Sequence, residues 1–121
     1  MITQGTGGVS IFTLLLAAAN RTTKAIITSS SDEKLAAIKE KFSTSTFKVE
    51  GYNYRTYPDQ ADEVKRLTDG KGVDMVVNNV GPGSLPADLD SLKPQKGVIT
   101  LVGFLGGLSG DWEPSALLAA I

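Results

Sequence analysis

The chain has 121 residues, of which 41% are hydrophobic and 21% charged, and its 12 basic and 13 acidic side chains give a net charge of −1. This composition predicts one globular domain, and the balanced charge argues against nucleic acid or an anionic membrane surface as a partner. The sequence contains no cysteine and no histidine. It therefore has no thiol nucleophile, no imidazole base and none of the Cys or His ligands of a zinc site.

The longest apolar run, Ile11–Ala19, is interrupted by Thr13 and is shorter than the roughly 18 residues that would span a bilayer. The first ten residues carry no lysine or arginine, so the charged start of a secretory signal is missing. We expect a cytoplasmic protein.

Short β-branched runs alternate with stretches of helical period along the whole chain, which is typical of strand–helix–strand units. The first helix is apolar nearly all round, so we expect it to be buried. The pattern predicts an α/β fold: a doubly wound parallel sheet of about five strands, in the order 3-2-1-4-5, with helices on both faces. The predicted strands are 2–4, 24–28, 47–54, 73–80 and 97–102, and the predicted helices are about 9–19, 31–42, 58–69, 84–92 and 111–121.

A glycine-rich turn separates the first strand from the first helix. It consists of Gly5, Thr6, Gly7, Gly8 and then Val9. Such glycines allow a tight turn and let backbone amides approach a pyrophosphate, which the positive end of the following helix also favours. The alternative is a strand-to-helix turn that binds nothing.

The end of the second strand is where a dinucleotide-binding domain holds the adenosine ribose. Ser29, 19 residues after Ser10, takes the place of the usual acidic residue, and Ser30 and Lys34 follow it. Hydroxyls and a cation favour NADP over NAD, because a carboxylate would repel the 2′-phosphate. Equally, a serine here would cap the next helix while Lys34 is solvated. Tyr54, after strand 3, would pack near the same ribose or lie in an exposed loop.

The ends of strands 4 and 5 each place a glycine after apolar residues, where backbone would face a nicotinamide ribose or carboxamide. These segments are Asn79 to Gly81 and Val102, Gly103 and Phe104. A simple strand-ending turn explains each glycine as well. The carboxylates nearby are predicted to lie on solvated helix faces, with no acid–base pair among them: Asp62, Glu63, Asp88 and Asp90.

Five segments in a fixed order together resemble the cofactor domain of the medium-chain dehydrogenase/reductases, the superfamily of zinc-type alcohol dehydrogenases and quinone oxidoreductases. They read QGTGGVS at 4–10, TSSSDEKL at 28–35, NYR at 53–55, TDGKGVD at 68–74, and LKP at 92–94 leading to LVG at 101–103. The resemblance covers nearly the whole chain and identifies residues 1–121 as a single Rossmann-like NAD(P)-binding domain.

The resemblance implies NADP(H) on Gly7, Gly8 and Val9, with the 2′-phosphate near Ser29, Ser30, Lys34 and Tyr54. It places the nicotinamide end near Asn79 to Gly81 and Val102 to Phe104. Members of the superfamily carry a catalytic domain, with any zinc ligands, before this domain and a further strand after it. We therefore expect a fragmentary or truncated oxidoreductase that binds NADP(H) but no zinc and is not competent for hydride transfer alone.

Three other functions stay open. A partner chain or a second copy would complete the pocket of a working reductase. Alternatively, the fold is kept without its cofactor, and the exposed edge of strand 5, Gly97–Val102, pairs with a partner or in a homodimer. A methyltransferase would also use a glycine-rich first turn, although the missing acidic residue after strand 2 argues against it.

Overall fold

The computed structural model describes residues 1–5 and 7–102. Five strands form one sheet in the order β3-β2-β1-β4-β5, the order that the sequence predicted. The chain divides into two compact units, Met1–Pro58 and a second unit that begins at Asp59. The elements are β1 Ile2–Thr3, α1 Gly8–Ala19, β2 Lys24–Ser29, α2 Asp32–Phe42, β3 Lys48–Asn53, α3 Gln60–Leu67, β4 Met75–Asn78, a 3-10 turn Pro82–Ser84, α4 Leu85–Ser91 and β5 Val98–Leu101.

The first unit is built on three parallel strands with β2 in the middle. Ile26 of β2 is in register with Ile2 of β1 and with Glu50 of β3. Burial of β2 from Ala25 to Ser29 explains its β-branched, nearly continuous apolar sequence. One hydrophobic cluster joins these strands to the two helices of the unit; its buried members are Leu14, Ala17, Ala25, Ile27, Leu35, Phe47 and Val49.

Helix α1 is not buried all round, contrary to the prediction. Its buried residues are Ser10, Leu14 and Ala17, which follow the spacing of one helix face. The opposite side is apolar but exposed, with Phe12 63% and Leu15 51% accessible. A helix that lies on one side of a sheet can bury only one stripe of its surface. Apolar composition alone does not show which stripe that is.

The second unit is built on the parallel pair β4 and β5, in register from Met75 opposite Val98 to Asn78 opposite Leu101. Both strands are shorter than predicted, and Met75 is 38% exposed although a strand buried on both faces was expected. An isolated bridge between Val73 and Leu92 precedes the pair. In the described part of the chain, no helix is both long and apolar enough to cross a membrane.

Gly72 lies where the chain passes closely beside the end of α4. Its φ is +83°, and a β carbon there would lie 2.8 Å from the carbonyl oxygen of Ser91. Gly70 has nearly the same φ, +82°, but no atom within 4 Å of the corresponding position. The two glycines therefore separate the cost of an unfavourable φ from the cost of a steric clash.

We expect Gly72→Ala to lower the free energy of unfolding by about 3 kcal/mol, against about 1 kcal/mol for the matched control Gly70→Ala. Both variants carry the cost of a positive φ, and only the first also displaces the backbone of Ser91. Urea denaturation of the two variants measures the difference. Equal losses would show that the backbone yields at Gly72 without cost.

Candidate functional site

The glycine turn of the first unit is tied to β2 by hydrogen bonds. The amide of Gly5 donates to the Thr28 hydroxyl at 3.0 Å, and Gly5 has a φ of +92°, which favours glycine. The buried Ser10 hydroxyl donates to the Gln4 carbonyl at 2.8 Å, so the start of α1 is bonded to the end of β1. Ser10 occupies the position of the third glycine in the motif, and its hydroxyl links the helix to the strand.

Helix α1 begins without a capping side chain. Its N-cap residue, Gly7, has no side chain that could accept a hydrogen bond, and the first turn contains no acidic residue. In α2 the Ser31 hydroxyl accepts from the Lys34 amide, and in α3 the Asp59 carboxylate accepts from the Asp62 amide. Among the described residues, the first-turn amides of α1 are suited to an external anion, because the N-cap residue has no side chain and the first turn has no carboxylate to cap them.

At Gly7 and Gly8, neither the backbone conformation nor the packing of the described residues requires glycine. A β carbon at either position would meet no atom within 4 Å, and neither residue has a positive φ. Both are exposed. The protein's own packing does not select glycine here, so the open space beside them is available to a ligand.

The ends of β2 and β3 meet at the same edge of the first unit, and hydrogen bonds join them. The Tyr54 amide donates to the Ser29 carbonyl at 3.1 Å, and the Asn53 side-chain amide donates to the Ser30 carbonyl at 3.3 Å. The structure thus brings to one edge Ser29, Ser30, Lys34 and Tyr54. Ser30 and Lys34 are exposed, and Tyr54 is 47% exposed.

Ser29 has a structural role as well, together with its neighbour Ser31. The Ser29 hydroxyl is buried and accepts a hydrogen bond from the Ser31 amide at 3.1 Å, and Ser31 caps α2. The helix-capping alternative is therefore correct for Ser31, while Ser30 and Lys34 remain available at the surface. The first turn of α2 also holds Asp32 and Glu33. Asp32 accepts from the Asn53 side chain at 3.2 Å, which ties that carboxylate to the end of β3.

In the second unit, a buried polar network holds the turn that follows β4. The Asn78 side-chain oxygen accepts from the amides of Val80 and Gly81, at 2.9 and 2.7 Å. The two hydrogens of its Nδ2 are shared among the Gly81 carbonyl, the Ser84 hydroxyl and the Asp88 carboxylate, the last at 2.6 Å. One buried side chain therefore fixes both ends of this turn.

Asp88 is the acceptor at the centre of this network. It is fully buried, and besides Asn78 it accepts from the Ser84 hydroxyl at 3.2 Å and from the Gln60 side-chain amide at 2.8 Å. Gln60 also donates to the Ser91 hydroxyl at 3.2 Å. The network thus connects the start of α3, the end of β4 and helix α4.

The predicted nicotinamide-end residues lie at the carboxyl end of β4 and beyond β5. Asn79 is buried directly after β4. Gly81 has a φ of +120°, a backbone conformation that residues other than glycine rarely adopt. Val102 follows β5, is 48% exposed, and donates its amide to the Asn78 carbonyl at 2.8 Å. Thr6, Gly103 and Phe104 lie outside the described residues, as does the predicted helix 111–121.

Comparison with known proteins decides the family. Residues 8–118 match the family of zinc-binding dehydrogenases. The chain belongs to the zinc-binding dehydrogenase family. The predicted resemblance to the cofactor domain of medium-chain dehydrogenase/reductases is thereby confirmed, and so is the Rossmann-like fold, with its strand order.

Known members and solved structures cover the chain almost completely. A zinc-type alcohol dehydrogenase-like protein of Schizosaccharomyces pombe is 37% identical over 108 residues, covering 87% of this chain and 28% of that protein. A quinone oxidoreductase of Pseudomonas syringae superposes with a TM-score of 0.78 at 29% identity, covering 98% of this chain and 34% of that chain. A mycobacterial protein solved in complex with NADPH gives 0.73 at 29% identity, covering 98% of this chain and 35% of that one.

This member of the zinc-binding dehydrogenase family therefore spans about a third of the length of the relatives it matches. The structure's described residues contain no group of three or more His, Cys, Asp or Glu side chains that would hold a metal ion.

The carboxylate prediction was wrong for two of its four residues. Asp88 is fully buried in the network around Asn78, and Glu63 is 7% exposed and pairs with Arg66, whose Nη2 lies 2.6 Å from its Oε2. Asp62 and Asp90 are exposed, as predicted. The sequence analysis also missed Gln60, Asn78 and Ser84. The doublet of asparagines after an apolar strand is the signal that would have pointed to a buried polar network.

We expect Asn78→Asp to destabilise the protein by about 3–5 kcal/mol, because it sets a second buried carboxylate against Asp88. The double variant Asn78→Asp/Asp88→Asn restores one amide and one carboxylate and should recover part of that loss. Chemical denaturation measures both, with Asp90→Asn on the exposed face of the same helix as the matched control. The single variant Asp88→Asn is measured as well. If the double variant loses more stability than Asn78→Asp and Asp88→Asn together, the direct contact between positions 78 and 88 is not the main cause of the destabilisation.

Proposed function

We propose that this chain is the NADP(H)-binding module of an oxidoreductase of the zinc-binding dehydrogenase family. The observation that carries the proposal is the pair Gly7 and Gly8, which the protein's own packing does not require. They stand at the start of a helix of 12 residues that has neither a side-chain cap nor an acidic first turn. This combination suits the pyrophosphate of a dinucleotide, which needs close backbone approach and a positive electrostatic environment.

The adenosine end would occupy the edge formed by the ends of β2 and β3. There the exposed Ser30 hydroxyl and the Lys34 ammonium group are suited to a 2′-phosphate, and the Tyr54 ring is partly exposed beside them. No acidic residue occupies position 29, where a carboxylate would select a free 2′-hydroxyl. A related mycobacterial protein, 29% identical, has been solved with NADPH, which supports NADPH as a ligand here.

The nicotinamide end is proposed to contact residues of the second unit, Asn79, Gly81 and Val102, together with Gly103 and Phe104. Support for this assignment comes from the Asn78 network, which holds the turn after β4 in one conformation. A turn held from both ends presents its backbone groups without an entropic cost at the moment of binding.

The bound cofactor would supply the hydride, and the module would supply its binding and orientation. We propose that substrate binding and exclusion of water need further protein, from the same gene product or from a partner chain, so that the 121 residues alone do not catalyse hydride transfer. No zinc is proposed for these residues, because the sequence offers no cysteine or histidine.

A second candidate function is an interaction module that pairs through β5. Val98 is 54% and Leu101 43% exposed, and β5 ends the order of the sheet. The amides of Val98 and Val102 donate towards β4, so by alternation those of Ile99 and Leu101 point to the outer edge. Unpaired edge groups of this kind suit strand addition.

The first test is a calorimetric titration of the chain with NADPH, using Gly8→Asp as the variant. We expect the substitution to weaken NADPH binding by at least about 100-fold, because a carboxylate would repel the pyrophosphate. Stability should be unchanged or raised, since a carboxylate in the first turn interacts favourably with the helix dipole. Ser45→Asp, in the exposed loop before β3, introduces the same charge elsewhere and should leave binding unchanged.

Unaltered affinity in Gly8→Asp would reject the glycine turn as the pyrophosphate site. Absence of binding by the unsubstituted chain to both NADPH and NADH would reject the cofactor function and favour the β5 interaction module.

The second test concerns the preference for NADPH. We expect Lys34→Ala to weaken NADPH binding by about three- to tenfold and to leave NADH binding unchanged, because only NADPH carries a 2′-phosphate. Lys41→Ala, in the last turn of the same helix, is the matched control and should affect neither ligand. Equal losses for the two cofactors in Lys34→Ala would exclude a specific contact with the 2′-phosphate. Lys34 is a cleaner target than Ser29, whose buried hydroxyl already accepts a hydrogen bond.

A further inference from the structure

The second unit contains a cavity of about 890 Å³ that the proposed cofactor function does not use. Its walls come from the end of α3, the loop 70–72, the end of α4 and the loop 93–97. A volume of this size is within the range of small-molecule sites.

The walls of this cavity carry a concentration of positive charge. Four of the chain's nine lysines line it: Lys65, Lys71, Lys93 and Lys96. One acidic residue, Asp90, is among the lining residues. This local excess of positive charge contrasts with the chain as a whole, whose net charge is −1.

Within the described part of the chain, one of these four lysines has an ionic partner. Lys93 pairs with Asp74, with 2.9 Å between Nζ and Oδ1. Among the residues that the structure describes, no carboxylate lies within ion-pair distance of Lys65, Lys71 or Lys96. Three ammonium groups are thus available to an anion that enters the cavity.

The two loops that carry these lysines are held in place by the backbone. The Gly70 amide donates to the Lys65 carbonyl at 2.7 Å, and the Lys71 amide donates to the Thr68 carbonyl at 3.1 Å. The Lys93 amide donates to the Val73 carbonyl at 2.9 Å, which joins the second loop to the first. The close packing of Gly72 against Ser91 holds the same region. Ordered walls lower the entropic cost of binding.

The position of the cavity separates it from the predicted cofactor residues of this unit. The loop 70–72 precedes β4 and the loop 93–97 precedes β5, so the cavity lies at the amino ends of both strands. Asn79 and Gly81 follow β4 and lie at its carboxyl end. An anion in the cavity would therefore not occupy the nicotinamide end.

We propose that this lysine-lined cavity is a second binding site, for a small polyanion of the pyrophosphate class. A single exposed ammonium–anion pair contributes at most about 1 kcal/mol, so only a ligand with several charges gains enough from the site. Lysine binds phosphate oxygens as a point charge, and pyrophosphate concentrates several negative charges in a small molecule.

The test is a titration of the 15N-labelled chain with inorganic pyrophosphate, followed by NMR at constant ionic strength. We expect the amide shifts of 70–72 and 95–97 to move together along one binding curve. Lys71→Ala and Lys96→Ala should each weaken this binding by about three- to fivefold, and the double variant by about tenfold or more. The matched control Lys41→Ala, an exposed lysine in the first unit, should leave the curve unchanged.

Citrate, a small polyanion without phosphate, tests the ligand class in the same assay. Citrate binding at least about fivefold weaker than that of pyrophosphate would support the phosphate class, whereas equal affinity would overturn it. Shifts confined to the glycine turn 5–8, or unchanged affinity in the Lys71→Ala/Lys96→Ala variant, would overturn the cavity as the site. Loss of NADPH binding at the glycine turn would not change either result, because the reporting amides lie in a different loop.

Discussion

Parallel strand pairing is the constraint on which the arrangement of the candidate site depends. Within the first unit, β1, β2 and β3 all run in one direction, so the turns that follow them open at one edge. The bonds from Gly5 to Thr28 and from Tyr54 to Ser29 join those turns side by side. Residues 23 and 25 positions apart in sequence become neighbours because the parallel strands end at the same edge. The pyrophosphate and ribose residues proposed here depend on this geometry.

In the second unit, the carboxyl end of β4 carries a buried hydrogen-bond network, whereas the loops at the amino ends of β4 and β5 carry lysines. Buried polar groups must be hydrogen-bonded, and the turn after β4 satisfies this requirement through Asn78, whose partners include the fully buried Asp88. At the amino ends, exposed loops carry Lys71 and Lys96, and no carboxylate of the described residues lies within ion-pair distance of either. The turn at the carboxyl end of β4 is therefore held by hydrogen bonds to Asn78, whereas the amino end presents positive charge at the surface.

Helix α1 both packs in the hydrophobic cluster and provides the proposed anion site. Its inner face, with Leu14 and Ala17, belongs to the hydrophobic cluster of the first unit. Its start leaves Gly7 and Gly8 open, without a capping side chain, and those first-turn amides are the most suitable anion site of the unit. Packing holds the helix, and the absence of a side-chain cap leaves its positive end open to the proposed cofactor.

The sequence by itself determined the α/β class, the strand order, the glycine turn and the superfamily, because local periodicity and short motifs encode them. It also predicted a cofactor edge at Ser30, Lys34 and Tyr54, and the structure joins the ends of β2 and β3 at one edge, since parallel strands bring their carboxyl ends together. Only the tertiary structure decided that Asp88 is buried and that one face of α1 is exposed. It likewise decided that Lys65 and Lys96 share a cavity. Burial and charge clustering depend on which surfaces meet, and contacts between distant segments leave no periodic trace along the chain.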